Sequence, residues 1–511
     1  MRTTKFWSFA TLLLVSVVAS HAAEAPAKRP HIVFILCDDL GYGDVHCLNP
    51  ERGKIATPSI DRLALRGMTF TEAHSTSAVC TPSRYSMLTG RYNWRSSLQS
   101  GVLHGFSPPL IAPERLTLPA LLKQQGGYRT ACIGKWHLGM TFQGETKNWD
   151  LTKPIKDGPT TRGFDYFFGI SASLDMPPFA YIENDHFTQL PSVTKTWKRS
   201  GPAAPDFEAV DVLPLLTRKA KEFIMASAAT NRPFFLFVPL TSPHTPLVPT
   251  KEWQGKSGLG EYGDFVMETD WAIGEVFAAL DKAGIADNTL VIFSSDNGCA
   301  PYIGVDELEK QGHYASADRR GYKADIWDGG HRIPLLACWP GKIKTGSTSD
   351  QLVSLVDLMA TCADIAGAKI PKNAGEDSVS FLPALLGKAT TPVREALVFH
   401  SINGSFAIRQ GRWQLELCPD SGGWSAPKPG SQEAQGLPPV QLYDMAKDVG
   451  ERTNEYEKHP EIVAQLTKLL EKYVADGSSI PNVVGVNDVT VNIRKKKALS
   501  KDDAGNPVTH D

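Results

Sequence analysis

His31-Ile32-Val33-Phe34-Ile35-Leu36 runs without interruption into Cys37-Asp38-Asp39-Leu40-Gly41. A strand with one wet face alternates apolar and polar residues. A continuous apolar run therefore reads as a strand buried on both faces, the kind found inside a parallel sheet. Two adjacent carboxylates directly after such a strand are costly unless paired or bound to a metal. Taken alone, Asp38-Asp39 before Gly41 also reads as a solvated turn. Open α/β sheets, however, collect their ligands at the carboxyl ends of their strands.

Three further apolar runs end in the same way. Residues 130–134 lead into Lys135-Trp136-His137-Leu138-Gly139, and 233–238 into Thr241-Ser242-Pro243-His244-Thr245-Pro246. Residues 289–294 lead into Ser295-Asp296-Asn297-Gly298. A lone Lys or His is more often surface or filler than catalytic, and Asp-Asn-Gly is a good turn. Between the runs, helical patterns span 57–66, 116–125 (stopped by Gly126-Gly127), 206–229, 261–283 and 353–366, and Pro214 marks a boundary or kink. This is an α/β chain with a large mixed, mostly parallel central sheet flanked by helices. Residues 140–205 show little periodicity and read as an insertion at the rim of a cleft. Past about residue 380 come short alternating strands at 396–400, 406–409 and 412–417, then a helix at 459–474. They predict a small C-terminal α+β subdomain with an antiparallel sheet. The expected units are 30–378, 380–478 and a polar, mobile tail at 484–511.

The chain has 511 residues, 42% of them apolar, and a formal charge of −2. No broad basic surface suggests a nucleic-acid partner. Residues 1–22 read as a signal peptide, with Arg2 and Lys5 ahead of an apolar stretch too short for a membrane span. The expectation is an exported protein without a transmembrane segment, periplasmic or extracellular, or in a lysosome-like compartment if eukaryotic. Its eight cysteines (37, 47, 80, 132, 299, 338, 362 and 418) show no Cys-x-x-Cys spacing, which argues against a zinc site. Most read as small core residues.

One cysteine stands apart, in Cys80-Thr81-Pro82-Ser83-Arg84, followed by Leu88-Thr89-Gly90-Arg91. Pro82 suits the first turn of a helix, where its missing N–H has no partner to lose. Cys80 then lies at the positive end of the helix dipole, and Arg84, four residues on, reaches the same spot. Cys-x-Pro-Ser-Arg with Leu-Thr-Gly-Arg resembles the signature of the formylglycine-dependent sulfatases, which share the alkaline-phosphatase-like fold. Lys135-Trp136-His137-Leu138-Gly139 is similar to that family's second signature. The His244 loop, the Asp38-Asp39 and Asp296-Asn297 pairs and the stretch 320–334 containing Lys323 resemble its remaining site elements. The resemblance covers roughly 30–475. In the acidic turn at 448–454, Val449 stands where relatives usually carry proline.

The resemblance implies that Cys80 is oxidised to formylglycine by a maturation enzyme, and that the aldehyde hydrate is the nucleophile. Asp38, Asp39, Asp296 and Asn297, with the converted Cys80, would hold Ca²⁺, or Mg²⁺ as second choice, since their oxygens are hard ligands. Arg84, Lys135 and Lys323 would steady nucleophile and sulfuryl oxygens. His244, with Lys323, would protonate the leaving alcohol, and His137 would act as base on the second hydroxyl to release sulfate. The implied substrate is a sulfate ester, foremost a sulfated carbohydrate, with Trp94, His104, 140–205 and 298–319 as candidate sugar subsites or core packing. The alternatives are a phosphatase or phosphonate-ester hydrolase of the same superfamily, or an inactive sulfated-glycan-binding relative.

Overall fold

The computed structural model describes residues 29–494 apart from 146–147, 231, 482 and 484. The expected signal peptide and residues 495–511 lie outside the described residues. Five parallel strands form the centre of a ten-stranded sheet. They are β1 (His31–Asp38), β2 (Arg129–Lys135), β3 (Tyr166–Ile170), β4 (Phe234–Pro243) and β5 (Thr289–Ser295). Their order across the sheet is β5-β1-β4-β2-β3, and shorter strands extend both edges. β1 is thus the hinge of the topology, parallel to β4 on one side and β5 on the other.

Alternation along β1 shows why the run is apolar throughout. Val33, Ile35 and Cys37 face one core, which they share with helices α2 (Val212–Ala228) and α3 (Gly260–Lys282). Ile32, Phe34 and Leu36 face the other, packed against α1 (Cys80–Thr89) and α4 (Leu358–Ala366). Pro214 is the third residue of α2, where it breaks no intrahelical bond, and the helix starts at Val212 rather than at residue 206. The expected helix at 353–366 is shorter as well: Val353–Ser354 forms a strand pair, and α4 begins at Leu358. All eight cysteines are unpaired, and all but Cys47 are buried.

A four-stranded antiparallel sheet built from Leu397–His400, Phe406–Gln410, Trp413–Glu416 and Gln441–Asp444 lies apart from the large one. It packs with α5 (Pro460–Ala475) around a third core, to which Tyr92, Trp94, Trp327 and Val356 of the larger body contribute. Trp94 is fully buried there, its ring 5.3 Å from that of Tyr92; it is a core residue and not part of a sugar subsite. The expected mobile tail is docked over its described part. Arg91 donates to the Val486 carbonyl at 2.6 Å and to Asp488 at 2.9 Å, and Arg95 to Asn487 at 2.9 Å. Two buried arginines recruit it, because each would otherwise leave donors unpaired.

Candidate active site

Four of the central strands, adjacent in the order β5-β1-β4-β2, bring their carboxyl ends to one edge of the sheet. β1 ends at Asp38 and β2 at Lys135, while β4 leads into His244 and β5 into Asp296. Cys80 opens α1 beside them. Lys323 arrives on a loop stitched to two of these segments: its N–H donates to the Cys299 carbonyl and that of Ala324 to the Ala78 carbonyl, both at 2.8 Å. All ten sequence-expected residues are buried and gather at this edge.

Each cation sits on a carboxylate. The Lys135 ammonium donates to both oxygens of Asp38, at 3.0 and 2.7 Å, and to the Ser173 hydroxyl at 2.7 Å. Arg84 donates from Nε and a terminal nitrogen to one oxygen of Asp296, at 2.9 and 2.7 Å. Its other terminal nitrogen donates to the Lys135 carbonyl at 3.1 Å. Lys323 donates to Asp39 at 2.7 Å. Burial opposes every one of these charges, and the partners decide the outcome. Lys135, His244 and Arg84 hold Asp38 well below the usual carboxylate range despite its burial. For Asp296, burial outweighs Arg84 and the group lies above that range. Burial would lower Lys323, but Asp39 more than offsets it and keeps the ammonium charged.

The donor set fits a hard divalent cation. Asp38, Cys80 and Asp296 present ligand atoms within 4.8 Å of one another, as do Asp38, Asp39 and His244. The side-chain amide nitrogen of Asn297 donates to Asp39 at 2.8 Å, while its amide oxygen is buried with no partner. An orphaned amide oxygen beside three carboxylates is a ligand in waiting. Three carboxylates already face three cations here, so a bound divalent ion leaves two positive charges in excess, which is what an anionic ester requires. A second group, His74, Asp328 and His331, is equally compact. There, however, Arg332 donates to Asp328 at 2.9 Å and Arg319 stands 3.3 Å away. Burial pushes His74 and His331 down to about 4 and about 3. That group is an ion-paired knot beneath the antiparallel sheet, and its guanidiniums would repel a cation.

The two histidines differ in which nitrogen is free. His137 donates from Nε2 to the Leu103 carbonyl at 2.6 Å, a tautomer assigned from that bond, and its buried Nδ1 has no partner. Burial, with Lys135 adding to it, holds it far below the ordinary histidine value, so the ring is neutral with a lone pair at Nδ1. His244 makes its short bond from Nδ1 to the Thr245 carbonyl at 2.6 Å and leaves Nε2 3.6 Å from Asp39. Burial and Lys323 lower its affinity for a proton. Alternation along an extended strand would put Lys135 and His137 on one side. The strand ends at Lys135, and His137 takes φ +56, so alternation does not extend to it. Asp39, at φ +66, is the other left-handed non-glycine residue of the site, and such backbone strain gathers where function fixes geometry.

Sequence reasoning missed Ser173 and Asp175. Both follow β3, a fifth parallel strand where only a rim insertion was expected. Asp175 is buried, lies 3.9 Å from His244 Nδ1 and pairs with Arg199, and its other oxygen is left without a hydrogen-bond partner.

Comparison with known proteins agrees with this geometry. The sulfatase family model matches residues 30–368. The N-acetylgalactosamine-6-O-sulfatase of Bacteroides thetaiotaomicron is 34% identical over 492 residues, covering 87% of this chain and 93% of the relative. Human arylsulfatase A is 33% identical over 462 residues, covering 86% and 85%. A solved sulfatase chain from Bacteroides thetaiotaomicron, reported with its metabolism of multiple glycosaminoglycans, superposes with a TM-score of 0.77 at 33% identity, covering 87% of this chain and 99% of that one.

Proposed function

Given that the chain belongs to the sulfatase family and is a sulfuric ester hydrolase, we propose that it removes sulfate from sulfated carbohydrates, using a formylglycine made from Cys80. The observation that carries this reading is the place of Cys80. It is buried at the start of α1, within reach of Asp38 and Asp296 and beside Lys135 and Lys323. Burial pushes its thiol up, so as a thiol it would be a poor nucleophile. A formylglycine hydrate supplies one oxygen to take the sulfuryl group and a second whose deprotonation expels sulfate. Bound Ca²⁺, held by Asp38, Asp39, Asp296 and Asn297, would supply Lewis acidity toward nucleophile and sulfuryl oxygens.

The chain's own groups divide the remaining work. Arg84 is fixed on Asp296 and Lys135 on Asp38, so their positive charge is set before the ester arrives. Lys323 offsets charge on the sulfuryl oxygens from the Asp39 side. His244, protonated at Nε2, gives that proton to the departing alcohol, and burial and Lys323 make it a stronger acid than free imidazolium. His137, neutral and open at Nδ1, takes the proton of the second hydroxyl.

Carbohydrate is the proposed substrate because the relatives include N-acetylgalactosamine-6-sulfatases. The body at 30–378 carries the chemistry, and the sheet at 380–478 braces it. The Ser77 hydroxyl and the Ala78 N–H, just before Cys80, donate to the His400 carbonyl of that sheet. Among the described residues no helix is long and apolar enough to cross a membrane; the proposed export rests on the sequence of residues 1–22. Co-expression with a formylglycine-generating enzyme should yield protein that releases sulfate from a 6-sulfated galactosamine. Peptide mass spectrometry should show the aldehyde at position 80, and Cys80→Ala should be inert. Full activity with an unmodified thiol would refute the reading.

A further inference from the structure

A hairpin pairs Val193–Trp197 with Arg199–Ala203 and turns at one residue, Lys198. Lys198 has φ +66. Glycine or asparagine adopts that left-handed backbone cheaply, whereas most other residues pay about 1–2 kcal/mol. The exposed Lys198 ammonium lies 4.0 Å from the centre of the Tyr302 ring, a contact worth roughly 0.5–1 kcal/mol at an exposed site. The contact therefore does not by itself repay the backbone. Among the described residues Lys198 joins no ion pair, whereas its neighbour Arg199 is paired with Asp175 on the wall of the His244 pocket.

Tyr302 links this tip to the chemistry. The residue is 42% exposed, and its phenol lies against Thr245, the residue after His244, in the field of Lys323 and Asp39. The ring of Trp424 stands 5.8 Å away, tilted by 45°. Trp424 is held in turn by its N–H donating to Asp325 at 2.9 Å, two residues beyond Lys323. Tyr302 thus stands between the Lys323–Asp39 pair and the Lys198 ammonium, with Trp424 tilted beside it.

We propose that Lys198, Tyr302 and Trp424 form a subsite for the sugar next to the sulfated one, and that this neighbour carries an anionic group, a carboxylate or a second sulfate, met by Lys198. The substrate class is then an acidic oligosaccharide. The inference rests on the sulfatase reading of the adjacent site. Trp424 and the Tyr302 face that Lys198 leaves uncovered receive the apolar face of a sugar ring, and the ammonium supplies a charge-assisted contact that a neutral oligosaccharide cannot use.

The test compares matured wild type, Lys198→Asn and Lys198→Arg on sulfated disaccharides whose second sugar bears a carboxylate, a second sulfate, or a carboxyl reduced to an alcohol. Asparagine tolerates the left-handed backbone without the charge, and arginine keeps the charge. Wild type should favour the anionic disaccharides about tenfold in kcat/KM, the size of one charge-assisted contact. In Lys198→Asn this ratio should collapse toward one through KM, and Lys198→Arg should largely restore it. Whichever anion gives the larger ratio identifies the group. Equal kcat/KM on neutral and anionic substrates in wild type, or a ratio that survives Lys198→Asn, overturns the inference and leaves the sulfatase reading standing. No sulfate release by wild type from any disaccharide or from nitrophenyl sulfate overturns both.

Discussion

Glu416 and Glu451 are two fully buried carboxyl groups that meet beneath the antiparallel sheet. Gln414 donates to Glu451 at 2.7 Å and, more weakly, to Glu416 at 3.4 Å, while one oxygen of Glu416 has no hydrogen-bond partner. Burial pushes Glu416 from the ordinary 4.5 to about 7, with Asp328 adding repulsion against the pull of Arg320. Glu451 is pushed upward too, by burial and then by Glu416 itself. The folded protein therefore retains a proton that the unfolded chain releases above pH 4.5. Stability from this group is full below that pH and is lost as pH rises through 7. At about 1.4 kcal/mol per tenfold change in proton affinity, the loss is about 3 kcal/mol. Glu416→Gln keeps the shape without the charge, so it should match wild type at pH 5 and exceed it at pH 8 by up to that amount. Thermal scans of both proteins between pH 5 and 8 measure the difference. Parallel curves across that range would refute the argument, because they would mean that the pair releases its proton at no cost.

Three other perturbations separate the remaining roles. His244→Ala should harm sugar sulfates far more than nitrophenyl sulfate, whose alcohol leaves without a proton. His137→Ala should slow both substrates to one common turnover. Comparing kcat for each variant on both esters decides the matter, and the same substrate dependence in the two would contradict the assignment. Calcium at about a hundred times its dissociation constant should stabilise wild type by about 2.7 kcal/mol, read as a rise in Tm. Asp296→Asn should abolish most of that rise, and an unchanged rise would exclude Asp296 as a ligand. Arg95→Met leaves Asp377 buried without the guanidinium that now donates to it at 2.8 and 2.9 Å. The expected loss is about 3–5 kcal/mol by chemical denaturation, and a loss below about 1 kcal/mol would show that water replaces the pair.

What could be read from the sequence follows from where each residue's neighbours lie. β1, β2, β4 and β5 are legible because burial on both faces writes itself as an unbroken apolar run, and a charge at the end of such a run has few innocent explanations. β3 carries the same burial but contains Gly169, whose added Cβ would stand 1.7 Å from the Gly134 carbonyl oxygen on β2. The close approach of the two strands requires the glycine, and it leaves only Tyr166-Phe167-Phe168 ahead of it, a shorter run than the one before Gly134 on β2. That one substitution of texture hid Ser173 and Asp175, and with them the wall that joins His244 to the Lys198 hairpin. Trp94 and the 485–494 segment failed for another reason. Whether an aromatic is core, or a polar stretch docked, depends on Phe406 and on Arg91 and Arg95, residues hundreds of positions away whose proximity only the fold creates. The edge that gathers the candidate residues was therefore readable segment by segment, while the proposed subsite was not. Most of the candidate site residues stand at or just after the ends of their own strands, with Cys80 and Arg84 on α1 and Lys323 on a loop, whereas the proposed subsite joins segments with no local pattern in common.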